Sequence, residues 1–199
     1  MKFILMAIAL LASVGVGPTM SQAERDKALN ELEGSQKAFL EATRGLSVAQ
    51  WNFKSAPDRW SVAECAEHIG VTEGTVFKMA VEQALKGPAE PEKRSMVKLT
   101  DDEVLAMTAD RTAKFKAPES LQPTRRWTTP DEITKNVLEN RAQTLAFVST
   151  TREDLRDHFV DHPVFKTLDT YQWLLLISAH MRRHTAQMLE VEADPNFPK

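Results

Sequence analysis

Proline placement constrains this chain more than any motif in it. Its ten prolines leave residues 19–56, 58–87, 131–162 and 164–194 uninterrupted, and there are only seven glycines in 199 residues. Proline lacks an amide donor and clashes with the preceding helical turn, so long helices can run only where it is absent. No period-two run rich in Val, Ile and Thr claims those spans for a sheet. The expected fold class is all-α.

Helix start and stop signals divide the spans. A first helix is expected from about Ala23 to Arg44, with Leu29, Leu32, Phe39 and Leu40 on a common side and Gly45 as its stop. A second opens at Ser61-Val62-Ala63-Glu64, where Ser61 caps the first turn and Glu64 reaches back, and continues to about Lys86 before Gly87-Pro88. Thr100 and Glu103 repeat that pattern at the head of a short helical piece, read as lying on the outside. Thr129-Pro130-Asp131-Glu132 starts a third helix that runs to about Thr150. After an irregular connection, a fourth spans about Leu168 to Glu192. Four long helices with a longer crossover segment between the second and third describe a four-helix bundle.

The first 23 residues read differently. Lys2 precedes an apolar run from Phe3 to Val16, followed by Gly17-Pro18 and Ser21-Gln22-Ala23. This is the order of a secretory signal peptide, and the run is shorter than the ~20 residues of a bilayer-spanning helix. Cleavage is expected after Ala23, giving an exported (periplasmic or secreted) domain of residues 24–199 with no stable membrane anchor. An uncleaved anchor, or translation from Met20 to give a cytoplasmic protein, are the competing readings. The formal net charge of -3, with Lys and Arg interspersed among Asp and Glu, provides no basic field for nucleic acid. Cys65 is the sole cysteine, so no internal disulfide can form, and it is read as a small core residue.

Chemistry concentrates in the histidines. Around the fourth helix at 100° per residue, Trp173, Leu176, Ile177, His180, His184, Met188 and Val191 fall within an arc of about 120°, Arg183 nears its edge and Arg182 points away. Two adjacent buried imidazoles are costly unless each nitrogen finds a partner. A divalent metal resolves this, since side chains at i and i+4 can supply neighbouring vertices of one coordination sphere. His68, on the inward face of the second helix with Glu64, Cys65, Thr72 and Met79, is the third candidate ligand. Satisfied core histidines remain the competing reading. The same spacing recurs at His158 and His162, but Pro163 disfavours helical geometry there and places that pair in the connection.

The stretches "APDRWSVAECAEHIG" and "HPVFKTLDTYQWLLLISAHMRRHTAQMLEV", with Trp-Ser-x-x-Glu-x-x-x-His in the first and a final His-x-x-x-His in the second, resemble the DinB-like (DinB/YfiT-like) family of four-helix-bundle proteins. The likeness spans Glu24 to Lys199. It implies a metal-binding triad at His68, His180 and His184. For activity the resemblance implies thiol-dependent S-transfer, isomerisation or a presumed hydrolysis, and many members have no known activity. The export signal departs from the intracellular pattern and counts against thiol transfer, because reduced small thiols are scarce outside the cytoplasm.

Three neutral histidines would leave an ion such as Zn²⁺, Ni²⁺ or Fe²⁺ its full charge and an open coordination position, able to bring a bound water's pKa toward 7 or to favour a thiolate. The helix reads His-Met-Arg-Arg-His, so the general base of His-Glu-x-x-His proteases is absent from its usual place. Glu64, one turn before His68, is the candidate catalytic carboxylate, with the helix cap as its alternative role. Cys65 could approach the metal from the same helix. Arg183 or Arg141 could hold an anionic substrate or simply pair helices. Trp51, Trp60, Trp127 and Trp173 are read as packing, Trp60 also as a pocket wall. The leading functional reading is metal-dependent hydrolysis of a small molecule. Metal-assisted thiol S-transfer and non-catalytic ligand or metal binding are the alternatives, and a homodimer is compatible with such a bundle.

Overall fold

The computed structural model describes residues 20–199, so the leader read from residues 1–19 lies outside the described part. The helices are α1 (Gln22–Ala42), α2 (Val48–Asn52), α3 (Val62–Val76), α4 (Asp101–Ala109), α5 (Pro130–Thr150) and α6 (Thr170–Glu192). Five of these six begin with the same device. At Ser21/Glu24, Ser47/Gln50, Ser61/Glu64, Thr100/Glu103 and Thr129/Glu132 the cap hydroxyl accepts an amide while the acidic or amide side chain accepts the cap's own N–H. Each cap satisfies two amides that helix geometry orphans, worth about 1 kcal/mol. Asp169 caps α6 alone, accepting from the Gln172 amide at 2.7 Å. Gly45 has φ +73, a left-handed geometry that ends the α1 segment. Met20 is buried and Ser21 caps α1, so the expected processing point after Ala23 falls inside the first turn of that helix.

Three features depart from the sequence reading. The second helical path does reach Lys86, but beyond Val76 it becomes a π-helix over Phe77–Gln83 and a 3-10 turn over Ala84–Lys86. Bonds to i+5 widen the turn and rotate the residues beyond it. Met79, expected on the His68 face, is consequently 40% exposed, while Thr72 before the change is buried. The short α4 does not lie outside: Val104 and Thr108 are buried, and the helix packs along α6. Finally, the connection before α6 is not irregular. Phe159–His162 (β1) and Lys166–Asp169 (β2) form an antiparallel hairpin with Phe159 opposite Asp169 and His162 opposite Lys166. Strands of four residues are too short to display a period, and Lys166 supplies the left-handed residue (φ 63) at the turn.

α6 is the hub. α1, α3 and α4 pack against it, and α5 packs against α1 and α3. Leu32, Val76, Phe77, Val104, Leu155 and Leu174 belong to one buried apolar cluster. A second, toward the end of α6, contains Phe39, Trp51, Cys65, Ile69, Met181 and Met188. Burial of each large side chain supplies roughly 1.5–3 kcal/mol. α3 and α5 meet closely at Gly70, whose carbonyl accepts from Asn140 Nδ2 at 2.9 Å and where a Cβ would strike Asn136. Among the described residues no helix is long and apolar enough to cross a membrane.

Candidate metal centre

α3 delivers His68 and α6 delivers His180 and His184, so that one ligand-capable atom of each lies within 4.8 Å of the others. The Nε2 atoms of His68 and His180 are 3.1 Å apart. Two nitrogens on one tetrahedral ion at 2.0–2.1 Å would be separated by about 3.3 Å, so this spacing is close to that of neighbouring ligands. The ring centroids are 4.5–4.9 Å apart pairwise. Trp60 closes one side, its ring 4.9 Å from that of His68 and 5.9 Å from that of His184.

Two rings are oriented from behind. His68 Nδ1 donates to the Leu121 carbonyl at 2.8 Å, in a 3-10 turn of the long connection, and Thr72 Oγ1 lies 3.3 Å from the same nitrogen. His184 Nδ1 donates to Gln187 Oε1 at 2.9 Å. Arg111 also donates to Gln187 and pairs with Glu190, at 2.8 Å through Nη2. With Nδ1–H committed, Nε2 carries the lone pair, which is the state a metal needs and the usual role of such backing bonds. Burial first, then neighbouring charge, pushes the pKa of His180 and His184 well below the ordinary 6.5, and burial lowers that of His68. All three are neutral at pH 7. At 3.1 Å one proton can bridge His68 and His180, but a third neutral imidazole beside them gains nothing from it. A divalent cation fits this donor set.

The other sequence candidates are placed elsewhere. Glu64 Oε2 accepts the Ser61 amide at 2.8 Å and its carboxylate pairs with Lys54 at 3.0 Å, so its contacts are the cap and one ion pair. Cys65 is fully buried in the second apolar cluster, where burial pushes its thiol pKa up. Arg183, read near the edge of the arc, is 7% exposed and donates to the carbonyls of Asp110 and Ala113. Arg141 pairs helices, with its guanidinium against Glu73 of α3. His158 bonds the carbonyls of Asp154 and Gly87, and His162 Nδ1 accepts from the Val164 and Phe165 amides. Trp51 and Trp173 are buried, and Trp173 Nε1 donates to the Val160 carbonyl at 3.0 Å. Trp127 is partly buried beside the α3–α5 groove. Sequence reasoning missed Leu121 and Gln187. Gln187 stands three residues after His184 on one helix and was legible from that spacing. A backbone carbonyl 53 residues from His68 leaves no residue-type signal.

A helical protein with two histidines on one long helix facing a third on its neighbour defines a class of metal-site scaffold. The chain belongs to the DinB superfamily, whose family model matches residues 31–188. It is also similar to the uncharacterized protein YuaE of Bacillus subtilis (strain 168), 28% identical over 149 residues that cover 75% of this chain and 87% of the relative. No solved structure matches the chain.

Proposed function

We propose that the chain is a metal-binding four-helix bundle of the DinB superfamily, formed by α1, α3, α5 and α6, in which His68, His180 and His184 hold a Zn²⁺, Ni²⁺ or Fe²⁺ ion with a coordination position left open. The observation that carries the reading is the 3.1 Å approach of the His68 and His180 Nε2 atoms, with His184 beside them. A divalent ion held there supplies Lewis-acid polarisation to an oxygen or sulfur of a small-molecule substrate, which suits hydrolysis first and thiol transfer second. The protein's own contribution is to keep three imidazoles neutral, to orient two of them through Leu121 and Gln187, and to shield one side with Trp60. Glu64 remains with its helix cap and has no acid–base role in this reading.

Non-catalytic metal or ligand binding is the second reading. It is favoured by the composition of the cluster, which contains three histidines and no carboxylate among the described residues. Export, with a mature chain starting at Glu24, is also part of the proposal and rests on the residue order of positions 1–23. Intact mass of protein recovered from the extracytoplasmic fraction tests it: the full-length mass in the cytoplasm alone refutes export.

Elemental analysis of tag-free protein tests the site. Stoichiometric divalent metal is expected in the native chain and none in His180→Ala, His184→Ala. Metal persisting unchanged in that variant refutes the triad. Assay of the metal-loaded protein on ester, amide and thiol-conjugation substrates then separates enzyme from binder.

A further inference from the structure

Glu67 directly precedes His68 on α3 and is almost fully buried, at 2% exposure. A buried carboxylate is costly unless its lone pairs are all engaged. Here both oxygens accept, from four donors in all, and every partner comes from one short segment 57 to 59 residues away. Oε1 accepts the Thr124 amide at 2.8 Å, the Arg126 amide at 3.3 Å and the Arg126 guanidinium at 2.8 Å, and Oε2 accepts the Arg125 amide at 2.9 Å. Arg125 takes φ 60, a left-handed conformation that turns successive amides toward one anion. Arg126 also ties the segment to itself, donating to the Gln122 carbonyl at 2.9 Å and the Ser120 carbonyl at 3.1 Å.

Leu121 lies inside this wrapped segment, three residues before Thr124, and its carbonyl accepts from His68 Nδ1. The segment otherwise belongs to an irregular connection between α4 and α5 and has no α-helix of its own to hold the carbonyl in place. We propose that Glu67 is a positioning residue for the metal centre: by folding residues 120–126 around its carboxylate, it sets the Leu121 carbonyl behind His68 and fixes that ring with Nδ1 protonated and Nε2 bare. The use of this device for metal binding rests on the function proposed above; the device itself does not. A carboxylate serving only to stabilise the fold would have no reason to couple to the His68 tautomer.

The test compares Glu67→Gln and Arg126→Gln with Glu73→Gln, a buried carboxylate on the same helix that engages Arg141. Two readouts are needed: the His68 ring tautomer in metal-free protein, by ¹⁵N NMR, and Zn²⁺ affinity by competition with a chromophoric chelator. Glu67→Gln is expected to turn a single Nδ1–H tautomer into a mixture and to weaken Zn²⁺ binding by about 10-fold to 100-fold, the range for loss of a ligand's backing bond. Arg126→Gln, which keeps the amide bonds, should move both in the same direction but less, and serves if Glu67→Gln does not fold. Glu73→Gln should lower thermal stability and change neither. An unchanged His68 tautomer in Glu67→Gln or, failing that, Arg126→Gln overturns the proposal. If wild-type protein binds none of Zn²⁺, Ni²⁺ and Fe²⁺, the metal reading fails while the tautomer result still decides the role of Glu67.

Discussion

Two polar clusters are buried on α3, five residues apart, and they are built in opposite ways. Around Glu73 every charge is answered inside the chain. Arg141, fully buried on α5, grips both carboxylate oxygens at 2.7 and 2.9 Å, donates to Ser35 Oγ at 2.7 Å and reaches the Leu32 carbonyl of α1, while Thr144 Oγ1 donates to Glu73 at 3.0 Å. Around His68 three neutral imidazoles face one another, with the His68 and His180 Nε2 atoms in contact at 3.1 Å. The first cluster locks three helices together. The second has no charge of its own and would be matched by a cation, and such a polar cluster points to function rather than architecture.

The largest effect should come from breaking the balanced cluster. Arg141→Ala leaves Glu73 buried and unpaired and should cost about 3–5 kcal/mol of unfolding free energy. His180→Leu, in the metal-free protein, should cost under about 1 kcal/mol, because it removes a ring with little to gain there. Urea denaturation with chelator present measures both. Equal losses would erase the distinction between the clusters.

Next comes pH. The three imidazoles titrate below 6.5 in the fold and near 6.5 in the unfolded chain. Below pH 6.5 the unfolded state therefore binds protons that the metal-free fold refuses, and stability falls as pH drops from that value toward the lower folded-state pKa values. The slope is at most about 1.4 kcal/mol per pH unit for each histidine. It should be shallower in His180→Leu, His184→Leu, which retains His68 and His162 as lowered groups. A wild-type stability flat between about pH 7 and 5.5 would contradict neutral burial of the triad.

Gln187→Ala removes the acceptor behind His184 and should weaken Zn²⁺ binding about 10-fold, with little change in metal-free stability because Gln187 is a half-buried helix-surface residue. Unaltered affinity would mean that the His184 orientation comes from packing against Trp60 and the neighbouring rings instead.

The legibility of each feature in the sequence depends on how far along the chain its cause lies. Cap residues act locally, so Ser61, Thr100 and Thr129 announced their helices. The triad was legible because His180 and His184 share one helix face and His68 carries the inward phase of another. The phase failed at Met79, where the π-helical turn broke the 3.6-residue repeat, and at α4, whose buried side is only Val104 and Thr108. Nothing local predicts the Leu121 carbonyl or the wrapping of residues 120–126 around Glu67, because both depend on chain brought back from more than fifty residues away.

The smallest effect discriminates most finely between the two uses of a carboxylate near His68. Glu64 accepts the Ser61 amide and pairs with Lys54, a contact of partly exposed groups. Glu64→Gln keeps an acceptor for the cap, as Gln50 does for α2, and loses only the ion pair, worth about 0–1 kcal/mol at such a site. Metal content should be unchanged and thermal stability nearly so. If metal-loaded protein proves active on any substrate, Glu64→Gln should retain most of that rate, since the carboxylate is occupied at the helix start. A loss of about 100-fold or more with metal still bound would instead fit general acid–base catalysis, for which about 10²–10⁴-fold is typical, and would require Glu64 to leave its cap during turnover.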